Sequence, residues 1–155
     1  MAAAAAAAAF LKGKCGRSAL PSDMADKARA EERKRVGNEA FAKHKLEAAI
    51  EAYSEAICFA PNEPVYYTNR AMCHRKKEHW EQVKSDCRHA LQIDDTSIKG
   101  HYLLGVALDA TREYAEAVQQ LWRALELWAS RLAPAVGRRW PGSPLPEVAA
   151  APRPR

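Results

Sequence analysis

The chain has 155 residues, 48% of them hydrophobic and 28% charged, which allows one domain with appendages and argues against a fibrous or wholly disordered protein. The formal net charge of +5 sits at the ends. Residues 1–29 hold five Lys/Arg against two Asp and residues 131–155 five Arg against one Glu, which leaves residues 30–130 at −2. That distribution argues against a basic nucleic-acid-binding core, and the lack of an 18-residue apolar run excludes a membrane-spanning helix.

Residues 1–26 open with Met1 and the run Ala2 to Ala9, without the positive region that begins a secretory signal. They are expected to be a disordered, Ala-rich leader, with a faint transit-like composition as the alternative. Cys15, Cys58, Cys73 and Cys87 form no Cys-x-x-Cys pair. Three of them fall inside apolar helical patterns, where a free thiol behaves as a small hydrophobe. A reducing, cytoplasmic location is expected.

From residue 30 the chain repeats itself with a period of 34 and no insertions, as 30–63, 64–97 and 98–131. Position 8 of the repeat is Gly37, Ala71 and Gly105; position 20 is Ala49, Val83 and Ala117; position 27 is Ala56, Ala90 and Ala124. Small residues at three fixed places are what two closely crossing helices need, and Val83 is the exception. Larger residues recur too: Leu46, Trp80 and Tyr114 at position 17, then Tyr53, Cys87 and Leu121 at position 24.

The helical nature of each unit can be read independently of the period. Ala49, Ile50, Tyr53, Ala56 and Ile57 recur at intervals of three and four, one apolar helix face, and the pattern returns around Val83 and Ala117. Pro61 and Pro64 break the first junction, and Asp94-Asp95-Thr96-Ser97 marks the second with residues suited to N-caps. The repeat resembles the tetratricopeptide (TPR) repeat. The resemblance implies an all-α protein: three tandem repeats over residues 27–131, forming a short right-handed helical solenoid with disordered ends.

In the TPR family the first helix of each repeat lines a concave groove. Positions 2, 6, 9 and 13 are spaced four, three and four apart and form one stripe, with position 5 bordering it. Lys34 and Asn38 stack four apart in Lys34-Arg35-Val36-Gly37-Asn38. Asn69 lies mid-helix in Thr68-Asn69-Arg70, where Asn is a poor helix former with no capping role, and Lys99 opens the third repeat in Ile98-Lys99-Gly100-His101.

These four residues resemble the carboxylate clamp of chaperone-binding TPR domains. There, two lysines and two asparagines hold the terminal carboxylate and Asp side chain of a Glu-Glu-Val-Asp tail. By the same resemblance Lys76 is a further basic groove position, and Phe41, Val65 and Tyr102 are apolar walls. Each charge-assisted bond contributes about 1.5–3 kcal/mol. Taken singly, Lys34 sits in a charge run (Glu31 to Arg35) that reads as a solvated face. It is the coincidence of four clamp positions across three repeats that carries the resemblance.

Tyr66 to His74, Asp86 to Asp94 and Ser97 to Gly105 resemble chaperone-binding U-box ubiquitin ligases, over residues 27–127 only. That likeness implies a co-chaperone for heat-shock chaperones of the 70- and 90-kDa classes, in protein quality control. As it stands the sequence is expected to recognise a chaperone tail without a visible means of recruiting a conjugating enzyme. The alternative is a TPR scaffold that does not read free C-termini.

From Arg131 to Arg155, six of the nine prolines fall at 134, 141, 144, 146, 152 and 154, and 18 of the 25 residues are Ala, Pro, Arg or Gly. Residues 132–155 are expected to be a disordered tail produced by truncation, alternative splicing or a misread exon boundary, a Pro/Arg interaction tail being the alternative. Without a capping helix, the face around Val118, Leu121 and Leu125 is expected to stay exposed and favour self-association or poor stability.

No phosphate-binding Gly-rich loop, nucleophile elbow or His-Glu-x-x-His helix is present, so no catalytic residue and no cofactor is expected. No metal is expected either, because His74 and His79, five apart on one helix, would face different ways. Glu47, Glu51 and Glu55 read as a solvated acidic ladder.

Overall fold

In the computed structural model residues 23–136 are described; the Ala-rich leader up to residue 22, with Cys15, and the Pro-rich stretch from 137 lie outside them. The described residues form six helices: α1 (Asp23–Ala42), α2 (Leu46–Phe59), α3 (Pro64–Lys76), α4 (Trp80–Ile93), α5 (Ile98–Ala110) and α6 (Tyr114–Val136). Helices consecutive in sequence pack on one another, and α3 also packs beside α5. Each 34-residue repeat is thus one helical hairpin.

Two boundaries differ from expectation. α1 starts at Asp23, inside the stretch expected to be disordered, and Asp26 in its first turn suits the positive end of a helix. α6 runs to Val136, beyond the expected boundary at 131/132 and through Pro134. A proline in a last turn forfeits one backbone bond, which a helix of 23 residues tolerates.

The crossings within hairpins follow the small-residue positions. Ala49, Val83 and Ala117 are buried, as are Ala56, Ala90 and Ala124. At position 8 a Cβ on Gly37 would stand 2.6 Å from the Tyr53 ring, and one on Gly105 would stand 2.6 Å from Leu121. Position 8 therefore faces position 24 of the same repeat. Where position 24 is large, position 8 is glycine; where it is Cys87, Ala71 fits, and both lie in one buried cluster with Val83, Leu104 and Leu108.

Cys73 and Cys87 are fully buried, and burial pushes their thiols up to about 11 and about 12, so both stay protonated packing groups. Cys58, grouped with them by sequence pattern, is exposed instead. It stands two residues beyond buried Ala56, about 200° round the helix.

The turns inside the hairpins repeat as well. His44, Glu78 and Arg112, all at repeat position 15, adopt positive φ of 57°, 58° and 66°. In each turn the next residue's N–H reaches five residues back: Lys45 to Ala40, His79 to His74 and Glu113 to Leu108, at 2.9, 3.0 and 2.8 Å. This is the Schellman closure, usually made by glycine. Between repeats, Pro64 stands in the first turn of α3, and Ser97 caps α5 by accepting from the Gly100 N–H at 3.3 Å.

Two substitutions test this packing with opposite signs. Gly37→Ala is expected to destabilise by about 1–3 kcal/mol, because the buried Tyr53 ring cannot retreat. Glu78→Gly is expected to stabilise by about 1 kcal/mol by relieving the left-handed backbone. Urea unfolding followed by circular dichroism measures both.

Candidate functional site

Where α1, α3 and α5 meet lies a hollow of about 130 Å³, lined by Asn38, Phe41, Tyr53, Asn69, Met72 and Lys99. Four of the eight residues expected at the site come together there: Asn38, Phe41, Asn69 and Lys99. Their polar atoms are arranged in one sense. Tyr53 donates its hydroxyl to Asn38 Oδ1 at 2.7 Å, and Lys99 Nζ donates to Asn69 Oδ1 at 2.7 Å. Both amide oxygens are thereby engaged, and what the asparagines retain for the hollow is their NH₂ donors. Burial pushes the Tyr53 phenol up to about 12, so it remains a donor.

Lys99 completes the set. Desolvation holds its ammonium below the usual lysine range, and none of the described carboxylates pairs with it. A partly buried cation beside amide donors, and without a counter-ion of its own, is a place for an anion.

The other expected residues surround this centre. Lys34 shares with Asn38 a second hollow of about 530 Å³, where its Nζ lies 2.5 Å from Glu31 Oε2. Lys76 Nζ stands 4.8 Å over the Phe41 ring, so the basic side chain covers the apolar wall. Tyr102, 49% exposed, lines a third hollow with Lys99 and Arg131, and Val65 is 46% exposed at the start of α3. Neither lines the central hollow. The adjacent Tyr66 and Leu103 occupy the buried positions of those turns, which swings Val65 and Tyr102 outward. The wall is formed by Phe41 with Tyr53 and Met72.

Tyr53 was not singled out for the site by sequence, and Met72 only as position 9 of the groove stripe in the second repeat. Tyr53 reads there as packing, and the signal that could have found it is its position opposite Gly37, one residue from Asn38.

Beneath the groove α3 is held by a buried ion pair. Arg70 binds Asp86 on α4 twice, Nη2 to Oδ1 at 2.6 Å and Nε to Oδ2 at 2.9 Å, while its Nη1 donates to Ser54 on α2 at 3.0 Å. This one side chain, next to Asn69, ties two repeats together.

The His74 and His79 rings approach to 6.0 Å, contrary to the reading that put them on different faces, because Glu78 turns the chain before His79. Among the described residues no group of three His, Cys, Asp or Glu could hold a metal. The acidic ladder is paired at its ends, Glu47 with Lys77 and Glu55 with Arg33.

No protein-family model matches the chain. The first TPR of Spaghetti (RPAP3), solved with the HSP90 peptide SRMEEVD, superposes with a TM-score of 0.64 at 30% identity, covering 65% of this chain and 80% of that one. The chain belongs to the tetratricopeptide repeat proteins. The second TPR domain of human RPAP3, solved with the HSP70 peptide SGPTIEEVD, superposes with a TM-score of 0.61 at 27% identity, covering 68% and 86% of the two chains.

Among curated relatives, the E3 ubiquitin-protein ligase CHIP of Arabidopsis thaliana is 49% identical over 100 residues, 64% of this chain and 36% of that protein. The chain spans about a third of the length of CHIP and of the small glutamine-rich tetratricopeptide repeat-containing protein 2 of Saccharomyces cerevisiae, another curated relative. Its three repeats form the short right-handed solenoid of TPR domains, the architecture expected from the 34-residue period.

The TPR groove depends on the ion pair below it. Asp86→Ala leaves the Arg70 guanidinium uncompensated and is expected to cost about 3–5 kcal/mol in thermal or urea unfolding.

Proposed function

We propose that this TPR domain is a co-chaperone module that binds the C-terminal Glu-Glu-Val-Asp tail of heat-shock chaperones of the 70- and 90-kDa classes, acting in the cytoplasm. The observation that carries the reading is the donor-only hollow: the Lys99 ammonium without a carboxylate of its own, beside the free NH₂ groups of Asn38 and Asn69. A terminal aspartate offers two carboxylates within a few ångströms, which suit Lys99 with the asparagines on one side and Lys34 on the other. Phe41 with Lys76 above it supplies an apolar wall for the residue before the tail.

Support also comes from relatives: the two RPAP3 domains were solved with peptides ending in Glu-Glu-Val-Asp. The likeness to CHIP supports a role for the module in ubiquitin-dependent quality control of chaperone clients. No described helix is long and apolar enough to cross a membrane, and the reading involves neither membrane nor nucleic acid. The binding unit is assigned to residues 27–131.

Calorimetry with a peptide ending in Glu-Glu-Val-Asp and with its C-terminally amidated twin tests the proposal. The free acid is expected to bind at about 1–10 μM, about −7 to −8 kcal/mol. Amidation, Lys34→Ala or Lys99→Ala each weakens it at least about tenfold, the scale of one charge-assisted bond. Equal, weak binding of both peptides would make the domain a scaffold for internal segments.

The pH dependence follows from Lys99. Burial depresses its folded pKa, so the charged form that binds is lost as pH rises through a value below that of an exposed lysine. Affinity should therefore fall in that alkaline window, and a Lys99→Arg variant should move the fall to higher pH.

A second proposal concerns α6. Tyr114, Val118, Leu121, Leu125, Trp128 and Leu132 follow one another at intervals of four, three, four, three and four, the seam spacing of a coiled coil. All but Leu125 are at least 36% exposed. We assign this seam to self-association with a second copy of the chain. Light scattering should show a concentration-dependent dimer that Val118→Glu with Trp128→Glu returns to monomer; a monomer at high concentration would refute it.

A further inference from the structure

Lys34 does not meet the groove as a bare cation. Glu31, one turn earlier on α1, places Oε2 2.5 Å from its ammonium, and the Tyr66 hydroxyl on α3 donates to Glu31 Oε1 at 2.9 Å. Tyr66 is 1% exposed, so this second bond anchors the carboxylate from a buried and rigid support. Glu31 is thus held from two repeats at once, whereas an ordinary surface glutamate drifts among rotamers. Its acidity agrees: the hydrogen bonds from Lys34 and then Tyr66 hold the carboxyl below the usual glutamate range, and it stays ionised.

The two sides of the groove therefore differ in charge. Lys99 brings a cation that none of the described carboxylates pairs with, while Lys34 arrives already paired with Glu31. A carboxylate approaching Lys34 must share its ammonium protons with Glu31 and sit close to a fixed negative charge, a like-charge juxtaposition.

Resting on the reading of the groove as a receptor for C-terminal carboxylates, we infer that Glu31 is a specificity-determining residue, a built-in rival for Lys34. It weakens capture of acidic peptides in general and leaves net affinity to those that also engage Lys99. A carboxylate that touches only the α1 side meets no net charge there. A tail that brings a second carboxylate to Lys99 and the asparagines gains an uncontested partner. Glu31 thus raises the requirement for a two-carboxylate end at the cost of absolute affinity.

Glu31→Gln tests the inference, since glutamine keeps the shape and can still accept from Tyr66 through its one amide oxygen, while the negative charge facing Lys34 is removed. Glu32→Gln is the control, being a neighbouring carboxylate of the same charge that pairs with Arg35 at 2.6 Å. By calorimetry, Glu31→Gln is expected to tighten binding of the free-acid Glu-Glu-Val-Asp peptide by about three- to tenfold, the effect of removing one nearby like charge. The gain should be smaller for the amidated twin, and Glu32→Gln should change either affinity less than about twofold.

Unchanged or weaker binding in Glu31→Gln would overturn the inference, as would an equal gain in Glu32→Gln or an equal gain for both peptides. Failure of the underlying reading looks different: Lys34→Ala and Lys99→Ala would then leave binding of the free acid unaltered, whatever Glu31→Gln does.

Discussion

The close crossing of α1 and α2 at Gly37 is the constraint on which the groove rests. With no Cβ at Gly37, the Tyr53 ring packs closely against α1, and its hydroxyl comes within 2.7 Å of the Asn38 amide oxygen. One contact therefore packs a hairpin and orients a groove residue. The same exchange of volume sets the other two crossings, Ala71 against Cys87 and Gly105 against Leu121, without a polar end. Only the first hairpin turns its packing residue into a positioning residue for the groove.

The polar groups of the groove are arranged by subtraction. Tyr53 and Lys99 take up the two asparagine oxygens, and donors remain. Arg70 and Asp86 satisfy one another underneath, so the charges that hold α3 in place do not compete for a ligand. Lys34 is paired with Glu31 while none of the described carboxylates pairs with Lys99, and on the proposed reading this asymmetry is what would favour a particular peptide end over any acidic chain.

Much of this was legible in the sequence because a 34-residue period repeats its physical demands three times. Positions 8, 20 and 27 announce the crossings, and the groove stripe places Lys34, Asn38, Asn69 and Lys99 on first helices. The period shows less of what happens between helices that are far apart in sequence. The Tyr53–Asn38 bond needs the depth of the crossing, and the Tyr66–Glu31 bond needs the stacking of two repeats. Val65 and Tyr102 each stand one residue from the buried member of their turn and lie outside the central hollow, an offset that resemblance alone does not resolve. The hairpin turns were silent because His44, Glu78 and Arg112 stand where glycine would have signalled a left-handed residue. The helix ends were missed because composition marks Ala- and Pro-rich stretches as irregular, while α1 and α6 each extend a few residues into them.

The central claim is that the partly desolvated Lys99 ammonium receives the carboxylate of a peptide end. Following the Lys99 side-chain carbon resonance against pH, with and without a peptide ending in Glu-Glu-Val-Asp, tests it most directly. The free protein should titrate Lys99 below the usual lysine range, because burial disfavours its charge. Saturating peptide should raise that midpoint, because a carboxylate placed against the ammonium favours the charged form. Titration at the same pH with and without peptide, under conditions where the peptide is bound, would contradict the account.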